Sequence, residues 1–111
     1  MSAIQHGTVM KAYAQGNSGE AAALRRMIAQ YDAALGACAS KDAATLDSVL
    51  AFMQQSINFE AWPSLGLVLY AQYNTCRRHA SEGSFSEAGR ILATLRAAWV
   101  SGGRKSGAFP A

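Results

Sequence analysis

The sequence predicts an all-α domain, an antiparallel up-down four-helix bundle with a short N-terminal helix or arm, and three observations predict it. Apolar residues recur at steps of three and four along four separate segments, the spacing that places them on one face of a helix. Beyond the N-terminal segment only six Val and Thr residues occur, and none sits in the alternating runs that build a sheet. The segments are joined by connections of a few residues, which force consecutive helices to be antiparallel neighbours.

The first long helix begins near Asn17 or Ser18, either of which suits an N-cap, with Glu20 in the first turn. Its stripe is Leu24, Met27, Ile28, Tyr31, Leu35 and Cys38, and it ends near Ser40. A second helix starts around Asp42 and carries Leu46, Val49, Leu50, Met53 and Ile57 as far as the turn signal Trp62-Pro63-Ser64. Pro63 and Ser64 open the third, which has Leu65, Leu69, Tyr73 and Cys76 on one stripe with Val68 beside it. Leu67 and Tyr70 fall on a different face, so this helix is apolar too far round for an ordinary surface helix. Gly83 marks the next turn, and Ser84 with Glu87 three positions on forms a capping box for the last helix. That helix carries Phe85, Ala88, Leu92, Leu95 and Trp99. The resulting organisation is an arm over residues 1–16, a bundle over 17–100 and a flexible tail over 101–111.

A chain of 111 residues has room for one modest core. Half of it is apolar and only 15% is charged, below the roughly 25% of an ordinary soluble domain, which reserves some apolar surface for a partner. The net charge of +3 is a weak case for nucleic acid, since three of the ten basic residues, Lys11, Arg104 and Lys105, fall outside the bundle. Cys38 and Cys76 lie on apolar stripes and read as small core residues. No stretch approaches the ~20 apolar residues of a membrane span, and the N-terminus has no signal-peptide core. The expected compartment is the cytoplasm, with both thiols reduced.

Catalytic and metal constellations fail on spacing, so neither an enzyme nor a bound metal or cofactor is expected. His6 and His79 form no Glu-x-x-His pair of the kind that binds metal inside bundles, and Asp32, Asp47, Glu60, Glu82 and Glu87 all lie off the inner stripes. No glycine-rich phosphate loop, nucleophile elbow or Cys-x-x-Cys occurs. Arg25-Arg26 and Arg77-Arg78, with Arg90 and Arg96, read as bundle-edge residues that clamp carboxylates of neighbouring helices or of a bound peptide. Adjacent residues point about 100° apart and spread their charge instead of concentrating it. Among the aromatic residues Tyr31, Tyr73 and Trp99 read as core, and Tyr70, beside Leu67, as partner-facing.

The run YDAAL at 31–35, the Lys-Asp turn at 41–42, Leu69-Tyr70 followed by Arg77-Arg78, and LRAAW at 95–99 resemble the flagellin export chaperone family, FliS, across residues 18–100. The resemblance implies a cytoplasmic, non-enzymatic chaperone. Its partner would be flagellin's disordered C-terminal segment, which becomes helical around the bundle and is kept from premature polymerisation before type III export. The flagellar export apparatus is a further implied partner. In the family the N-terminal segment covers part of the groove when flagellin is absent. The candidate partner-binding residues are therefore Ile4, Met10 and Tyr13 on the arm, with Ile57, Leu67, Tyr70 and Tyr73 at the groove. Two alternatives stay open: a helical secretion chaperone or adaptor with a different client, and a basic nucleic-acid-binding helical domain.

Overall fold

In a computed structural model the described residues are 18–106, with side chains described over 21–102. They form four helices and no strand: α1 (Ser18–Ala39), α2 (Ala43–Gln55), α3 (Pro63–Ser81) and α4 (Phe85–Ser106). The expected arm, with Ile4, Met10 and Tyr13, lies outside the described residues. The long axis of the molecule is 38 Å, close to the ~33 Å of a 22-residue helix laid lengthwise.

Each boundary has a local cause. The carboxylate of Asp42 accepts from both the backbone N–H and the hydroxyl of Thr45, which caps α2 and holds its own carboxyl below the usual range. Pro63 occupies the first turn of α3, where its missing N–H costs nothing. The α1–α2 link closes with Asp42 N–H on the Ala37 carbonyl and Lys41 N–H on that of Cys38. The α3–α4 link repeats this, with Ser84 N–H on His79 and Gly83 N–H on Ala80. The closing residue is left-handed in both, Lys41 at φ 57° and Gly83 at φ 75°.

Two expectations need correction. Ser84 does not complete a reciprocal capping box: its N–H is spent on the His79 carbonyl, and the Glu87 carboxylate is held by Arg90 at 2.6 Å. The last helix also continues past residue 100 to Ser106, into the stretch read as a tail. Nothing in Val100–Ser106 forbids the helix, because glycine weakens but does not break one.

α1 packs against α2 and α4, and α3 packs against the same two, so the helices form a ring around one core. Leu24, Ile28, Tyr31, Leu46, Leu50, Met53, Leu92 and Trp99 are buried as their stripes require. Leu35 and Leu95, expected inside, are half-buried at its edge. Between α1 and α4, the position of a Cβ on Gly89 lies 3.8 Å from that of Cys38, Arg96 Nε donates to Asp32 at 2.6 Å, and Trp99 donates to Tyr31. Arg77 Nε donates to Asp47 at 2.8 Å and its Nη1 to Gln54 at 2.9 Å. Arg77 and Arg96 thus tie neighbouring helices together, while Arg78 pairs with Glu82 and Arg90 with Glu87 close by in sequence.

Candidate functional site

One half of the molecule carries a cleft of about 250 Å3, walled by α1, α2 and the start of α3, with Trp99 of α4 at its back. The stripes explain the apolar walls: Met27 from α1, Met53 from α2 and Leu69 from α3 are inner residues whose neighbours do not quite meet. The α2–α3 link borders the gap. It runs from Ser56 to Trp62 through a turn in which the Asn58 side chain accepts from Ala61 N–H and its carbonyl from Trp62 N–H. Trp62 folds in as a wall. Phe59 and Ile57 lie across Gly66, so close that a Cβ there would stand 2.9 Å from Phe59 Cδ1 and 3.0 Å from Ile57 Cγ2. Only glycine admits this approach.

Behind the cleft lies a polar cluster in an otherwise apolar core. Trp99 Nε1–H donates to the Tyr31 hydroxyl at 3.1 Å, and the Tyr31 and Tyr73 hydroxyls share a 2.5 Å hydrogen bond, their rings edge to face at 6.1 Å. Burial pushes Tyr31 up to about 12 and Tyr73 upward as well, so both hydroxyls keep their protons at neutral pH. Burial also raises the Cys76 thiol to about 12, and it rests on the Ala88 carbonyl at 3.8 Å. Cys38 and Cys76 are both buried and free.

A second surface lies on the outward side of α3. Leu67 is 66% exposed and Tyr70 45%, and Phe59 reaches over to Tyr70 with ring centroids 6.2 Å apart. The Tyr70 carbonyl receives Gln54 Nε2–H at 3.2 Å, which fixes this face of α3 to α2. Phe52, 55% exposed, stands between the cleft and a shallower depression formed by Ala29, Ala33 and Val49 across α1 and α2.

The sequence-derived set therefore divides. Leu67 and Tyr70 are on the outer face, Ile57 is a half-buried wall of the cleft, and Tyr73 is only 2% exposed, a core residue that also reaches the cleft. Phe52 and Phe59 were missed. Phe52 follows Val49 by three residues on the flank of the α2 stripe, a second strip open to reading; Phe59 sits in a link, where no period exists to read. Gly66, a glycine inside a helical pattern, was the signal for close packing.

Among the described residues no three His, Cys, Asp or Glu side chains gather as metal ligands, and no helix is long and apolar enough to cross a membrane. No family model, curated protein or solved structure matches the chain.

Proposed function

We propose that this protein is a non-enzymatic chaperone or adaptor that holds an apolar helical segment of a partner protein. Following the resemblance at YDAAL and LRAAW, that segment is the C-terminal part of flagellin, kept unpolymerised in the cytoplasm before type III export. The bundle is read as antiparallel, since residue numbers rise on one helix as they fall on the next: Tyr31 with Trp99 and Cys38 with Gly89, Asp47 with Arg77 and Gln54 with Tyr70.

The observation that carries the reading is the cluster of Leu67, Tyr70 and Phe59 on the outer side of a helix whose opposite stripe already fills the core. Large apolar side chains grouped at a surface mark interfaces, and aromatic ones are the common hot spots. An amphipathic segment laid along α2 and α3 covers them. Ile4, Met10 and Tyr13 of the arm compete for part of the same surface.

Calorimetry with the isolated flagellin C-terminal segment tests this. Binding is expected at tens of micromolar or tighter and little changed between low and moderate salt, because the buried surface is apolar. Tyr70→Ala weakens it by more than about 1 kcal/mol while leaving the melting temperature nearly unchanged. No binding in that range points to another client; affinity that falls steeply with salt points to phosphate recognition.

A further inference from the structure

The hydroxyl cluster behind the cleft has one proton too many. Tyr31 and Tyr73 bring two hydroxyl protons, the single bond between them uses one, and the Trp99 indole is a donor that accepts nothing. Whichever tyrosine donates, the other proton meets no acceptor among the described residues. A buried donor left unpaired is as costly as a lost hydrogen bond. Of the two tyrosines only Tyr73 lines the cleft, and it is 2% exposed.

The rest of the cleft is equally specific. Among the described residues its one charged lining side chain is Arg26, which is exposed and has no carboxylate partner among them, whereas Arg77, Arg78, Arg90 and Arg96 all hold one. Its walls include the aromatic rings of Phe52, Trp62 and Trp99 and the thioethers of Met27 and Met53 beside aliphatic Leu65 and Leu69, and the rings and thioethers favour a flat ring through edge and sulfur contacts. At about 250 Å3 it exceeds the roughly 150 Å3 that admits benzene, which leaves space for a second fused ring.

We propose that the cleft binds a fused-ring aromatic carboxylic acid carrying an oxygen acceptor at the end opposite its carboxylate. With Tyr31 donating to Tyr73, the Tyr73 hydroxyl donates its own proton to that oxygen, the rings lie between the aromatic and methionine walls, and Arg26 holds the carboxylate at the mouth. The site opens away from Leu67 and Tyr70 on the outer face of α3, shares Ile57 and Tyr73 with the sequence-derived set, and is tested without the partner.

The test is calorimetric titration of the full chain with 6-hydroxy-2-naphthoate and with 2-naphthoate, which lacks the acceptor. The hydroxy acid is expected to bind roughly three- to tenfold more tightly, the worth of one hydrogen bond. Tyr73→Phe abolishes that difference and leaves 2-naphthoate unchanged. Arg26→Gln, at an exposed position that leaves folding intact, weakens both acids about two- to fivefold, the range of an exposed ion pair. If neither acid binds saturably up to millimolar concentration, or the two bind the unmodified chain equally, the assignment is overturned. Equal weakening of both by Tyr73→Phe overturns it too, because the hydroxyl then serves only the fold. Should Tyr73→Phe fail to fold, the ratio of the two acids on the unmodified chain and the Arg26→Gln titration still decide.

Discussion

Where α1 hands over to α2, and α3 to α4, the links are short and close by the same pair of backbone bonds, whereas the link from α2 to α3 is longer and borders the cleft. The side chains differ in step. Near the short links the core includes many small residues, Ala34, Ala37, Cys38, Cys76, Ala80 and Ala88, beside Leu46 and Leu92, and the helices come close enough for Gly89 to face Cys38. Near the long link it is made of Tyr31, Tyr73, Trp99 and Trp62, which meet at their edges and leave space between them. Small side chains let backbones close a gap; large rigid rings fill most of it and cannot deform to fill the rest. The apolar cleft thus lies at the half of the bundle that the long link closes, and the closest helix approach at the other.

The largest test of this contrast is Trp99→Ala, which removes the back wall of the cleft and the head of the hydroxyl chain together. With the side chain 3% exposed, a loss of about 3–5 kcal/mol is expected in urea denaturation, and an unchanged midpoint would show that the ring carries no weight.

A finer test makes one substitution in both halves. Gly66→Ala places a methyl 2.9 Å from Phe59 and is expected to destabilise by about 1–3 kcal/mol as the link is pushed away. Gly89→Ala meets only Cys38 at 3.8 Å, an ordinary contact, and is expected to stabilise by about 0.5–1 kcal/mol through helix propensity. Thermal melts that move in the same direction would remove the distinction between the halves.

The smallest effect compares the two short links. Lys41 holds the left-handed position that Gly83 fills without strain, so Lys41→Gly is expected to raise stability by about 0.5–1 kcal/mol. No gain would mean that the lysine side chain contributes something its exposed position hides.

Much of the fold was open to reading in the order of residues. The four stripes, Asp42 as a cap, Pro63 at a helix start and Gly83 at a helix end are local signals, and each is written within a turn or two of where it acts. Lys41 was not, because nothing local prefers lysine in a left-handed turn; the bonds to Ala37 and Cys38 impose it. The Ser84–Glu87 box failed for a similar reason, as Arg90 and the His79 carbonyl supplied competing partners.

The site divides along the same line. Periodicity alone put Leu67 and Tyr70 on the outer face, since a residue's direction on a helix follows from its number. That Tyr31, Tyr73 and Trp99 join through their polar atoms, that Phe59 lies over Gly66, and that Arg26 lines an apolar cleft with no carboxylate partner among the described residues are facts of three-dimensional arrangement. They join residues up to 68 positions apart, and a helical period carries no information over that distance. The sequence determined which faces turn inward because amphipathic spacing acts within one helix. The tertiary structure alone decided where those faces fail to fill the space between them, because a cavity is a property of rings and backbones from several helices meeting at once.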